Sequence, residues 1–162
     1  MVKGIGIAFI FVFCTLVGKQ LADDHKNEYK KVTLLCDMLF DIKEYVGYEG
    51  LIFSRMINEL SSNTRYRSFF FLNTKSYAQK QDLIDILEKT NTFKNKEYNE
   101  RLLRLFKLLG TTDKQSQLEL ITNTSEYFSS QADMLRAQLP KAKRLYLSLG
   151  ISAGALIAVI LL

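Results

Sequence analysis

Apolar residues along this chain form two uncharged blocks near the ends and a series of helix-spaced stripes between them. GIGIAFIFVFCTLVG fills residues 4–18, and the run from Leu145 to Leu162 is equally free of charge. As helices rising about 1.5 Å per residue, they would span roughly 22 Å and roughly 27 Å. A hydrocarbon core is about 30 Å thick. The first block is short, but Lys3 and Lys19 can snorkel, and Leu21 and Ala22 extend it. Three readings fit such blocks: two retained membrane helices, a cleaved secretory signal, or a signal combined with an apolar tail as in a glycolipid-anchor precursor. CTLVGKQLADD offers no clear A-x-A site, and Phe13 before Cys14 fits a lipoprotein cleavage site poorly. Both points favour retained helices.

The stripes between the blocks predict helices. Val32, Leu35, Leu39, Ile42 and Val46 share one helical face, continuing out of the first block until Gly47 and Gly50 break it. A short helix is expected from Leu51 to Leu60, with SSNT at 61–64 ending it and available to cap the next element. RYRSFFFLNT is expected as a helix or turn packing Phe69, Phe70 and Leu72 into the core. Gln79 to Glu88 reads as an amphipathic helix through Leu83, Ile86 and Leu87. TNTFKNK, residues 90–96, reads as a polar connection, and Tyr98, Leu102, Leu105 and Leu109 mark the next buried face.

The junction that follows carries the sharpest local signal. Gly110 is suited to a left-handed helix end, and Thr112 with Gln115 fits a capping box opening a new helix. That helix has a seam of Leu118, Ile121, Ser125, Phe128, Ala132, Leu135, Leu139, Ala142 and Tyr146, alternating by three and four. The period suits packing along another helix. The seam runs into the final apolar block, with Pro140 expected to kink it just outside the bilayer. Asn-Gly and Asp-Gly hairpin signals are missing, and Pro140 is the one proline. The predicted fold is therefore all-α: an antiparallel helical bundle flanked by N- and C-terminal transmembrane helices. The expected divisions are 4–22 for the first membrane helix, 23–144 for a cytoplasmic bundle and 145–162 for the second membrane helix. Gly150 and Gly154 form a GxxxG suited to close packing of membrane helices, with Gly4, Gly6 and Gly18 available opposite.

Charge sets the orientation. Lys19, Lys26, Lys30 and Lys31 follow the first block, and Arg136, Lys141, Lys143 and Arg144 precede the last, whereas Lys3 alone precedes the first and nothing basic follows the last. Positive flanks stay in the cytoplasm, so the middle region is expected there. The net charge of +5 then suits anionic lipid. No helix carries a dense basic stripe of the kind nucleic acid needs, so nucleic-acid binding is not expected. Cys14 and Cys36 are expected as buried small hydrophobes rather than a disulfide in a reducing cytosol. His25 stands alone in sequence and reads as a surface residue at the membrane interface, not a metal ligand. GxxxxGK[ST], GxSxG, HExxH and CxxC are all missing. Glu97 and Glu100 read as solvated faces. No catalytic residue, metal or cofactor is expected, and the chain is not expected to be an enzyme.

Motifs in the last fifty residues carry a resemblance. LLGTTDKQSQ, a long helix and LYLSLGISAGALIAVILL resemble the stage III sporulation protein AB family, through Leu109, Gly110, Asp113 and Gln117 and then Leu149, Gly150 and Gly154. VKGIGIAFIFVFCTLVGKQLA is similar to that family's first span, with Thr15 and Gly18 in step. EYVGYEGLIF keeps Glu44, Val46 and Tyr48 of a further family stretch but lacks its proline, and the tryptophan common before the penultimate helix is missing. The resemblance implies a membrane-anchored subunit of the sporulation secretion-like complex linking mother cell and forespore. It further implies a domain similar to the cytoplasmic platform of type II secretion and type IV pilus systems. The implied partners are a cytoplasmic ATPase, stage III sporulation protein AA, and the complex's other membrane subunits. A rival reading from the residues alone is a membrane-tethered coiled-coil adaptor, unrelated to sporulation, whose seam is open and self-associates.

Overall fold

A computed structural model describes residues 2–49, 52–72 and 80–161, with side chains described for these except residues 2–11, 48, 49, 158 and 161. Every regular element among the described residues is helical. α1 runs Val2–Glu44 and passes directly into a π turn at Tyr45–Glu49. α2 is Phe53–Ser62, followed by 3-10 turns at Thr64–Tyr66 and Phe70–Leu72. α3 is Lys80–Lys89, α4 is Lys96–Leu108 and α5 is Lys114–Leu161. The break expected at Gly47 is instead a widened turn, and Gly50, Leu51 and Gln79 lie outside the described residues. Among the described residues, no helix is long and apolar enough to cross a membrane. Residues 1–11, 158, 161 and 162, which complete the two apolar blocks in sequence, lie outside the described side chains.

The chain divides into two units, residues 31–131 and residues 1–30 with 132–162. The first of these is built around an apolar stripe on α1. Val32, Leu35, Met38, Leu39 and Ile42 are fully buried there, as the three-four spacing predicts. Ile121 and Phe128 of the seam are fully buried within the same unit, so this part of the seam is closed rather than open. Thr122 and Thr124 bond back to the carbonyls of Leu118 and Leu120, which lets hydroxyls sit on a largely buried helix face.

Aromatic rings link the elements of this unit into one chain of contacts. Phe53 meets Phe106, Phe106 meets Phe71, Phe71 meets Phe69, Phe69 meets Phe93, and Phe93 meets Phe128 and Tyr98, all with centroids 5.4–6.5 Å apart. Such offset and edge-on pairs contribute beyond the area they bury. FFFL is therefore not a uniform core segment. A 3-10 turn places Phe69, Phe71 and Leu72 inside and leaves Phe70 65% exposed, the reverse of the expected role for Phe70.

TNTFKNK is also more than a polar connection. Asn99 donates to the Phe93 carbonyl at 2.8 Å and accepts from the Phe93 amide at 2.9 Å, fastening both polar groups of that residue. With its backbone satisfied, Phe93 is free to turn its ring inward. Asn95 accepts from the Glu97 amide at 2.9 Å and caps α4. On α3 the buried set is Leu83, Ile84 and Leu87, with Ile86 half-buried at the margin.

Two polar contacts tie the first 3-10 turn to α1. Arg65 pairs with Asp37 at 2.5 Å, and the Tyr66 hydroxyl donates to Asp41 Oδ2 at 2.5 Å. Burial, and then the hydrogen bond to Asp41, push the Tyr66 phenol far above its ordinary range. The folded state thus holds the phenol proton more tightly than the unfolded chain. The stability this supplies is complete below the unfolded pKa of about 10 and is lost as pH rises towards the folded value. Tyr66→Phe should cost about 1 kcal/mol at neutral pH. Its urea midpoint, measured in detergent, should fall less steeply above pH about 10 than that of the unaltered chain; equal slopes would refute the assignment.

Candidate functional site

The sequence-predicted cluster at the α4–α5 junction is assembled by backbone geometry. α4 ends as Gly110 takes φ +76°, the one positive φ among the described residues. This left-handed turn disfavours any side chain with a Cβ. A Cβ at Gly110 would also lie 3.4 Å from Cβ of Phe53, whose ring packs on Phe106. Asp113, not Thr112, caps α5: its Oδ1 accepts from the Ser116 amide at 3.0 Å and its Oδ2 from the Ser116 hydroxyl at 2.5 Å. The Ser116 hydroxyl and amide hold the Asp113 carboxyl below the usual carboxylate range.

The reach-back role falls to Gln117 rather than Gln115. Its Oε1 accepts from the Gly110 amide at 2.9 Å, and its Nε2 donates to the Thr112 carbonyl at 2.7 Å. Gln117 thus spans the whole loop from one helix to the next. Leu109 is fully buried beside it, and Thr111 closes the helix end by donating to the Leu108 carbonyl. The Gly110, Asp113 and Gln117 positions quoted above therefore act as one latch, with Thr112 contributing its carbonyl.

Lys80 completes the junction and carried no signal in the sequence. Its ammonium donates to the Lys107 and Leu109 carbonyls at 2.6 and 2.5 Å, neutralising the negative end of α4. The same group sits 5.4 Å from the Phe53 ring centroid, and burial lowers its pKa. Its partner carbonyls lie almost thirty residues away, which no local spacing announces.

A polar cleft of about 490 Å³ lies between α4 and α5 in the same unit, lined by Glu100, Arg104 and Asn123 among others. At its edge Arg101 stacks 3.7 Å from the Tyr127 ring centroid and bonds Glu97 at 3.0 Å. Hydrogen bonds from Tyr127 and then Arg101 lower the Glu97 carboxyl, and burial followed by the Glu97 bond raises Tyr127. Glu97 is exposed, as expected of a solvated face, and also engaged by these partners. The Glu97–Arg101 pair follows i,i+4 spacing on α4, but Tyr127 reaches it only through the fold.

The other predicted group lies in the unit of residues 1–30 and 132–162. Gly18, Gly150 and Gly154 are all buried. A Cβ on Gly150 would stand 2.8 Å from the Cys14 carbonyl oxygen and 3.4 Å from the Gly18 Cα, and one on Gly18 would stand 2.5 Å from the Tyr146 carbonyl oxygen. Two antiparallel backbones therefore touch here with no room for side chains, as small-residue packing requires. Gly4 and Gly6 fall in the segment without described side chains. His25 is not a bare surface residue: its ring stacks on Tyr146, and Nε2 lies 3.1 Å from the Tyr146 hydroxyl. Neither Cys14 nor Cys36 is in a disulfide, and both are half-buried rather than buried. Pro140 is accommodated within α5, which continues as helix on both sides of it.

These features define an all-helical protein with a closed aromatic-rich unit and a glycine-packed helix pair. A family model described as stage III sporulation protein AB matches residues 3–162. The chain belongs to the stage III sporulation protein AB family and has a role in that stage of sporulation. Comparison with curated proteins and with solved structures finds no match.

Gly110→Val should destabilise the chain by roughly 1–2 kcal/mol, because it forces a branched residue into the left-handed region. Chemical denaturation followed by circular dichroism reads this, and an unchanged midpoint would remove the latch as described. Gly150→Leu should lower the thermal midpoint of the detergent-solubilised chain by several degrees, whereas Leu149→Ala, at an exposed position, should leave it nearly unchanged.

Proposed function

We propose that this chain is a non-enzymatic platform subunit of the sporulation secretion-like complex between mother cell and forespore. In this reading both apolar segments embed in the cell membrane, and residues 31–131 face the mother-cell cytoplasm. There they receive a cytoplasmic ATPase, stage III sporulation protein AA, and present it to the complex's other membrane subunits. Nucleic acid has no part in this role.

The observation that carries the reading is where the exposed apolar side chains lie. Among the described residues, twelve of the sixteen large exposed hydrophobics fall in 12–21 and 145–160, including Phe13, Leu16, Leu156 and Val159. A water-facing surface so apolar is unusual, and lipid is the medium that relieves it. The uncharged run from Leu145 to Leu162 has the length, about 27 Å, for a nearly upright crossing. The unit of residues 31–131 differs: most of its large side chains are enclosed, with Phe40, Ile52 and Phe70 as exposed exceptions, and it offers a charged cleft. Closure of Ile121 and Phe128 within that unit favours a self-contained platform over the open-seam adaptor.

A cysteine placed by Gln115→Cys, at an exposed position, tests the orientation. It should resist a membrane-impermeant maleimide in intact cells and react once they are permeabilised. Purified ATPase should float with liposomes only when the full chain is reconstituted in them. Labelling from outside, or flotation independent of the chain, would overturn the proposal.

A further inference from the structure

The helix pair of residues 1–30 and 132–162 contains a groove of about 420 Å³ with an amphiphile's division of chemistry. Lys19, Lys26 and Lys143 contribute its cations, against a single carboxylate, Asp23. Its apolar wall is Ala22, Leu139, Pro140 and Leu147. Lys19, Ala22, Asp23 and Lys26 recur at the spacing of one helical face, and Leu139, Lys143 and Leu147 do the same on α5. Among the described residues, none of the three lysines has an ion-pair partner. Their excess positive charge is therefore uncompensated within the groove.

The groove's place along the helices matters as much as its charge. Within this unit the exposed large apolar residues of α1 end at Leu21, and on α5, apart from Met134, they begin at Leu145. The groove residues straddle both limits, where headgroups would meet the helices if the membrane reading above holds. Free nucleic acid or inorganic phosphate would use the cations but gain nothing from Leu139 and Leu147. A helical peptide would need a longer apolar track than these four residues supply. A lipid matches both halves, because phosphate and acyl chain are joined in one molecule.

We propose that this groove binds one anionic phospholipid of the phosphatidylglycerol or cardiolipin class. Its phosphate sits among Lys19, Lys26 and Lys143, and its acyl chain lies along Leu139 and Leu147. The bound lipid offsets part of the lysines' excess charge and fills the space between the two helices at the membrane surface. The inference rests on the membrane reading but adds a site and a lipid class to it.

The test uses the full chain in detergent, with native mass spectrometry to count retained phosphatidylglycerol against phosphatidylcholine. The unaltered chain should prefer phosphatidylglycerol. The combined variant Lys19→Gln, Lys26→Gln, Lys143→Gln should lose that preference by about tenfold or more. The matching Lys→Arg variant, and a control altered at Lys94, Lys96 and Lys114 in the other unit, should keep it. Flotation with phosphatidylcholine vesicles is measured in parallel. If both proteins float and the preference is equal, the lipid site is overturned while the membrane reading stands. If the unaltered chain does not float, both fall. If glycerol phosphate displaces the lipid at equal concentration, the occupant is a free anion and the lipid site is likewise overturned.

Discussion

The unit of residues 31–131 depends on a continuous run of aromatic contacts. Phe53, Phe106, Phe71, Phe69, Phe93 and Phe128 come from α2, α4, a 3-10 turn, two connections and α5, so each segment is held by rings from its neighbours. Short helices of ten residues are marginal alone and gain their stability from such packing. The polar fastenings serve this run. Asn99 satisfies the Phe93 backbone, and Lys80 closes the α4 terminus beside Phe53. Without them, aiming those rings inward would leave buried carbonyls and amides unpaired.

The other unit follows a different rule. Its buried contact is made by what glycine lacks, and its large side chains point outwards. In water such a surface would be covered by association or aggregation. Under the proposed membrane reading, lipid would relieve that surface, and close backbone approach would be the main source of helix adhesion. The two units thus pack by different rules, and α1 and α5 each contribute residues to both.

Patterns with a fixed period were legible in the sequence, whereas features that depend on three-dimensional return were not. The stripe from Val32 to Ile42 and the face from Tyr98 to Leu109 follow from helical spacing and were read correctly. Gly110 was legible because left-handed helix ends select glycine. The cap beside it was misplaced by one residue, since Thr112 and Asp113 are both good caps and the loop length decides between them. Phe70 was assigned the wrong exposure, and the inward ring of Phe93 was not foreseen, because 3-10 turns and connections have no apolar period to read. Lys80, Tyr127 and the His25–Tyr146 stack were silent, as their partners lie far along the chain.

Gly110 has a consequence for how such a chain can diverge. No other described residue has a positive φ, so most helix surfaces can drift one substitution at a time. The turn between α4 and α5 cannot, because its handedness is set by a missing side chain. A relative carrying a bulkier residue there is expected to have rebuilt the connection at another length, making loop insertion and glycine loss a coupled evolutionary event.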